Sequence, residues 1–211
     1  MTMIEPDLEK YAEDHTSDED NLLYDLNRKT NLRTTLPRMI SGKIQGKFLE
    51  LISKIAKPRI ILEIGSFTGY SALCLAKGLA EDGILYTIES NVELEKIILD
   101  HISKSENESK IKLIMGNALD IIPKIDETID IVFIDANKKE YLSYYNLVLP
   151  KLSKGGLIIA DNVLWSGKVT DQNPDTDTKS LLEFNTHIKN DKRVEQVMLS
   201  IRDGLLFIRK L

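Results

Sequence analysis

Apolar positions along the chain change their rhythm near residue 58. Before it they recur at helical spacing: Leu22, Leu23 and Leu26 fall on one face. A further helix is predicted from about Lys43 to Ala56, stopped ahead of Pro58. Thr16-Ser17-Asp18-Glu19 reads as a capping box, with Thr16 as N-cap and Glu19 three residues later. The acidic run from Glu13 to Asp20 then becomes a solvated junction between helices. Residues 1–57 are thus expected to form a helical extension, able to cover a crevice or a partner subunit, on a core spanning 58–211.

From Arg59 onward short apolar runs alternate with helical stretches. The runs are Ile60–Ile64, Ile84–Ile88, Ile111–Met115, Ile129–Ile134 and Leu157–Ala160. Between them lie Ser71–Leu79, Val92–Ser103 and Glu140–Leu149. That succession predicts an α/β fold: a parallel sheet with helices on both faces and a ligand crevice at the carboxyl ends of its strands. The tail departs from it. Val194–Ile201 and Leu205–Ile208 flank Arg202-Asp203-Gly204, a hairpin signal, so the sheet should close with one antiparallel strand.

Composition narrows the picture. A chain of 211 residues, 42% apolar and 29% charged, is one domain with a sizeable core. A net charge of −5 gives no sign of a nucleic-acid or anionic-membrane partner. Cys74 is alone, cannot form an intrachain disulfide, and lies in an apolar helical pattern that marks it as core. The acidic N-terminus is unlike a leader, and no apolar run nears the roughly 18 residues of a membrane span. A cytoplasmic protein is expected. His15, His101 and His187 share no ligand spacing and are expected at the surface.

Candidate chemistry collects at the strand ends. The first strand runs into Glu63-Ile64-Gly65-Ser66-Phe67-Thr68-Gly69-Tyr70-Ser71, a glycine turn opening a helix. Such a turn lets backbone approach a ligand, and it is also simply a tight turn. Its spacing is not the Gly-x-Gly-x-x-Gly of dinucleotide binders. Glu63 could meet a ligand ammonium, and Glu89, ending the second strand, could hold ribose hydroxyls or merely favour a helix N-terminus. The two acids with the glycines point to an adenosine ligand.

Asp135 ends the fourth strand, and Asp161-Asn162 end the fifth. Singly, each can cap a helix or start a turn. Together, with no His or Cys near, they form a donor set for a hard divalent cation such as Mg²⁺, Ca²⁺ or Mn²⁺. Lys138 is either a base beside them or a solvated lysine at a helix start. Trp165, the lone tryptophan, follows at once as a candidate aromatic wall.

The chain resembles the cation-dependent, S-adenosylmethionine-dependent O-methyltransferases of the catechol and caffeoyl-CoA type, most closely their small bacterial members. The resemblance covers nearly the whole chain. It is carried by Gln45-Gly46-Lys47-Phe48-Leu49, the Glu63–Ser71 turn, Phe133-Ile134-Asp135-Ala136 with Lys138, and Tyr141. Further along come Asp161-Asn162-Val163-Leu164-Trp165-Ser166-Gly167, the most specific string, then Glu183-Phe184-Asn185 and Asp203-Gly204-Leu205.

The resemblance implies a Rossmann-like class I methyltransferase fold with a mostly parallel seven-stranded sheet. It implies Asp135, Asp161 and Asn162 as metal ligands and Lys138 as the catalytic base. Glu63, Gly65, Ser71, Glu89, Ala118 and Asp135 match positions for S-adenosylmethionine, Ser71 near the methionine carboxylate and Glu89 on the ribose. Met39 matches a methionine beside the reacting methyl group, and Trp165 a residue lining the acceptor pocket. The implied acceptor is a small aromatic vicinal diol, and the implied assembly a homodimer.

Two stretches depart from the family pattern. Met39-Ile40-Ser41-Gly42-Lys43-Ile44 lacks the proline and acidic residue common there, and Ser200 stands where the catechol branch has a clamping glutamate. The second departure favours the caffeoyl-CoA-like branch. Two other readings stand beside this one: a non-catalytic S-adenosylmethionine-binding protein, and a dinucleotide-dependent oxidoreductase on a similar sheet.

Overall fold

The computed structural model describes residues 5–211, so Met1–Ile4, which begin the acidic N-terminus, lie outside the described residues. Seven strands form one sheet: β1 (Ile60–Ile64), β2 (Ile84–Glu89), β3 (Ile111–Met115), β4 (Ile129–Ile134), β5 (Leu152–Asp161), β6 (Val194–Leu199) and β7 (Leu205–Lys210). Their order is β3-β2-β1-β4-β5-β7-β6. All pairings among β1 to β5 are parallel, and β7 runs antiparallel to both its neighbours. The expected mostly parallel sheet with one reversed strand is what forms.

Side-chain alternation along the strands builds two apolar layers. Leu62, Ile64, Val132, Ile134, Ile158 and Ala160 face one layer, which α7 (Tyr141–Val148) and α8 (Thr176–Asn190) complete with Tyr145, Phe184 and Ile188. Ile61, Ile131, Phe133 and Ile159 face the other. There α2 (Asn21–Arg33), α3 (Gly42–Ala56), α4 (Tyr70–Ala76) and α5 (Glu95–Ile102) supply Leu26, Leu49, Leu73 and Ile98. Strands buried on both faces read as continuous apolar runs, which is why the sequence shows them so plainly. Cys74 lies in the second layer, and burial pushes its thiol far up, so it is an inert core residue.

The remaining described α-helices are short α1 (Pro6–Asp14) and the single turn α6 (Ala118–Ile121). No described helix is long and apolar enough to cross a membrane.

Two local expectations change. Thr16 does not cap α2; its hydroxyl donates back to Ala12 O at 2.7 Å, and Asp20 is the N-cap, accepting from Leu23 N at 2.9 Å. The acidic run is the largely exposed junction expected between α1 and α2, and three of its acids also find partners. Asp18 pairs with Lys43, Glu19 accepts from the Tyr70 hydroxyl, and Asp20 pairs with Lys77 at 2.7 Å. These contacts pin the start of α2 to α3 and α4, and they compete Glu19 away from a capping box. His101 is buried, not exposed: Nδ1 lies 2.8 Å from Ile97 O and Nε2 3.4 Å from Asp25.

At the site, Gly65 is fixed by close approach of backbone. Gly65 has φ +93°, and a Cβ there would lie 2.0 Å from the Asp135 carbonyl oxygen. Gly65→Ala is therefore expected to destabilise the fold by about 3 kcal/mol or more, since backbone strain and steric overlap add. Urea denaturation with an unchanged slope checks it; a loss under about 1 kcal/mol would show that β1 and β4 part easily.

Candidate active site

Strand order reverses between β1 and β4, and a crevice opens at such a switch point. Backbone bonds stitch the strand ends together there. Gly65 N and Ser66 N donate to Ile88 O at 3.0 and 3.2 Å, Gly116 N to Glu89 O at 2.8 Å, and Asp135 N to Ile64 O at 2.9 Å. The residues that follow β1 to β4 are thereby set side by side.

A small cleft lies between the Met39–Ser41 turn and the Gly65–Ser71 turn, with Asp135 on its wall. It gathers four of the predicted positions, Met39, Gly65, Ser71 and Asp135. Beneath it Glu63 is fully buried; Oε2 accepts from the Thr87 hydroxyl and Oε1 has no partner. Burial drives its carboxyl up to about 8, with the Ser71 and Thr87 hydroxyls pulling back and the charges of Asp135 and Glu89 adding to the rise. The buried Ser66 hydroxyl also lacks a partner. A ligand bearing an ammonium group and further polar atoms would satisfy these groups.

Glu89 and Ala118 stand at the next strand ends, outside the residues lining that cleft. Glu89 accepts from Phe67 N and Asn91 N, both at 2.8 Å, which holds its carboxylate rigid on the flank of the glycine turn. Ala118 is buried at the start of α6, where Asn117 caps Leu119 N.

The second corner is acidic. Lys138 Nζ donates to Asp135 Oδ1 at 2.9 Å and to the Tyr141 hydroxyl at 2.7 Å. That hydroxyl in turn lies 3.0 Å from Asp161 O and 3.3 Å from Ile134 O, tying the ends of β4 and β5 together. Asp161 is 2% exposed, accepting from Asn162 N on Oδ1 and from Gln45 Nε2 on Oδ2, each at 2.7 Å. Burial raises its carboxyl well above the usual carboxylate range, and the charge of Asp135 adds to that, against Gln45, Lys138 and Arg202. Lys138 is not the solvated lysine of the alternative reading, since its side chain is only 11% exposed. The Trp165 ring centroid is 5.9 Å from its ammonium.

Asn162, Trp165 and Ser166 all hold positive φ, at +57°, +48° and +54°. Left-handed backbone at non-glycine positions is kept only where surroundings impose it. Here the 200–204 loop does so: Val163 N donates to Gly204 O at 3.2 Å, Leu164 N to Asp203 O at 3.0 Å, and Ser166 N to the Asp203 carboxylate.

Among the described residues no group of three or more His, Cys, Asp or Glu side chains is arranged as a metal cluster. The corner offers two carboxylates and one amide. Carboxylate and amide oxygens are the donors a hard cation takes, and added positive charge would ease the burial of Asp161 beside Asp135, which Lys138 and Arg202 already ease in part.

The sequence profile of the O-methyltransferase family matches residues 13–211. The chain belongs to that family. Among relatives, a caffeoyl-CoA O-methyltransferase of Eucalyptus globulus is 33% identical over 186 residues, covering 82% of this chain and 75% of that one. A catechol O-methyltransferase of Niastella koreensis is 31% identical over 171 residues, covering 79% and 77%. The solved O-methyltransferase of Bacillus cereus, in complex with SAH, superposes with a TM-score of 0.90 at 29% identity over 97% of both chains. This O-methyltransferase is therefore an S-adenosylmethionine-dependent enzyme, and the oxidoreductase and non-catalytic readings fall away.

Sequence reasoning gave no individual role to Gln45, Tyr141 and Arg202 in this O-methyltransferase. Gln45 and Tyr141 lay inside the resembling strings, and their full burial within polar contacts is what marks them here.

Glu63 carries a pH prediction. A carboxyl whose folded value lies above its unfolded one holds its proton more tightly in the native state. Its contribution to stability is full below about pH 4.5 and is lost as pH climbs through about 8. The ligand-free enzyme should melt lower at about pH 9 than at about pH 6, and Glu63→Gln should shrink that difference. Melting curves at both values check it. An undiminished difference would assign the effect elsewhere.

Proposed function

We propose that this enzyme moves the methyl group of S-adenosylmethionine to one hydroxyl of a vicinal-dihydroxy aromatic acceptor, at a divalent cation held by Asp135, Asp161 and Asn162. The observation that supports this reading is the buried Lys138 ammonium bonded to Asp135 on the wall of the Met39–Ser71 cleft, with the Trp165 ring 5.9 Å away and Tyr141 linking Lys138 to the Asp161 backbone. The names of the catechol and caffeoyl-CoA relatives support the same acceptor class.

A cation at this corner, Mg²⁺ in preference to Ca²⁺ or Mn²⁺, would supply Lewis-acid lowering of the acceptor's hydroxyl pKa and a template for its two oxygens. The chain's own residues do the rest. Glu63, with its unpaired buried oxygen, is assigned to the ammonium of the methyl donor, and Ser71 to its carboxylate end. Gly65 gives the donor close access to backbone, while Glu89 and Ala118 flank the nucleoside end. Met39, half exposed at the mouth, covers the methyl group. Trp165 walls the acceptor ring, and Lys138 is placed to receive or orient the hydroxyl proton. Transfer forms an O–CH₃ bond as the C–S bond breaks, so the enzyme mainly aligns its two substrates.

The test is turnover of caffeic acid and other catechols with S-adenosylmethionine and Mg²⁺, with and without EDTA. Product formation that EDTA abolishes and excess Mg²⁺ restores is expected. Turnover undiminished by EDTA would remove the metal from the mechanism and leave the family assignment intact.

A further inference from the structure

Arg202 stands in the loop between β6 and β7 with φ +50°, a backbone conformation that favours glycine. Its guanidinium nevertheless reaches across to the segment entering α3. Nη1 donates to Ser41 O and to Gln45 Oε1 (3.3 Å), and Nη2 donates to Arg38 O (3.4 Å). Gln45, fully buried, passes the contact on: its Nε2 donates to Asp161 Oδ2 at 2.7 Å.

Chemistry fixes the order of these atoms. A guanidinium has only donors, so it must meet the amide oxygen of Gln45. The amide NH₂ is then left for an ionised carboxylate, which only accepts. Turning the amide over would set donor against donor and acceptor against acceptor. Arg202 thereby decides which way Gln45 points, and Gln45 decides how the Asp161 carboxylate is rotated. The same loop also holds the other wall, through Gly204 O on Val163 N and Asp203 O on Leu164 N.

We propose that Arg202 is a positioning residue which, through Gln45, sets the Asp161 carboxylate for its cation and ties down the Arg38–Ser41 turn that carries Met39. This rests on the metal reading above. Partners that orient a metal's ligands commonly change metal affinity by about 10- to 100-fold when removed. Arg202 thus makes the N-terminal segment and the cation corner one unit, where the sequence alone shows two distant pieces.

Arg202→Gly, Gln45→Ala and the double variant test it in the full-length protein. Glycine takes φ +50° freely, which offsets part of the loss of the three guanidinium hydrogen bonds. Arg202→Gly should therefore stay folded at about 25 °C by circular dichroism, and binding is compared there to separate positioning from folding. Calorimetric titration with Mg²⁺ is expected to show affinity reduced about 10-fold or more in each single variant. The double variant should bind no more weakly than Gln45→Ala, because the two residues act in series. Affinity for S-adenosylmethionine should fall less than that for Mg²⁺, since only the Met39–Ser41 side of the donor cleft is loosened, and the Met39 and Ile40 amides should exchange hydrogen faster in Arg202→Gly.

Wild-type Mg²⁺ affinity in Arg202→Gly, or losses that add in the double variant, would overturn the relay. A wild type that takes up no Mg²⁺ would instead overturn the metal reading and, with it, the relay's role toward a cation.

Discussion

Replacing Asp161 with alanine is expected to lower kcat by about 10³-fold or more while leaving affinity for S-adenosylmethionine within a few-fold. The carboxylate is buried, faces Asp135, and takes its second oxygen's bond from Gln45. Truncation removes one of the two charged donors assigned to the cation. It also leaves the Gln45 amide unpaired, which costs roughly 1–3 kcal/mol. Relief of the buried carboxylate pair works in the opposite direction, so the melting temperature should move little. The donor cleft is built from the Met39–Ser41 and Gly65–Ser71 turns, which Asp161 does not line. Calorimetry with S-adenosylmethionine and steady-state kinetics separate the two effects. Asp161→Asn sharpens the test, since it keeps shape and loses charge: turnover near the wild type in that variant, or equal loss of binding and turnover in Asp161→Ala, would make this carboxylate a structural element.

The positions of the acids were legible in the sequence because a strand end is a local feature. Ile60–Ile64, Ile111–Met115 and Ile129–Ile134 form strands over the predicted bounds; β1 and β4 are mainly apolar and buried, while the edge strand β3, half-buried and carrying exposed Lys112, still shows as a short apolar run. The sequence shows β5 only as Leu157–Ala160, whereas the strand spans Leu152–Asp161, because Ser153-Lys154-Gly155-Gly156 reads as a turn and bulges between the Ile129–Leu152 and Ile131–Leu157 pairs with β4. The burial of His101 was readable in principle, as Ile98, His101 and Ile102 share one face of α5. The Gln45 and Arg202 contacts were not. They join residues 116 and 157 positions apart, and no periodicity records which polar side chains meet across a fold. The capping box failed for the same reason, Glu19 being drawn to Tyr70 in a different helix.

Lys138→Met is expected to lower kcat by about 10²- to 10⁴-fold, the range of a lost acid–base group, with little change in cofactor binding. What the lysine does is decided by a second substitution. Burial pulls its ammonium down, but the Asp135 charge and the Tyr141 oxygen outweigh that and hold it well above the ordinary lysine range. In this arrangement it is a cation fixed between two oxygens. It can orient an acceptor hydroxyl, and it can accept a proton only once Asp135 is engaged elsewhere, as the proposed cation would engage it. Lys138→Arg keeps a positive charge that does not deprotonate in proteins. If the group works as a base, the arginine variant stays as slow as the methionine one. If it works as a fixed charge, arginine restores much of the rate. The base assignment therefore stands on a low rate for Lys138→Arg measured at saturating Mg²⁺, and recovery to within about tenfold of the wild type would replace it with electrostatic orientation.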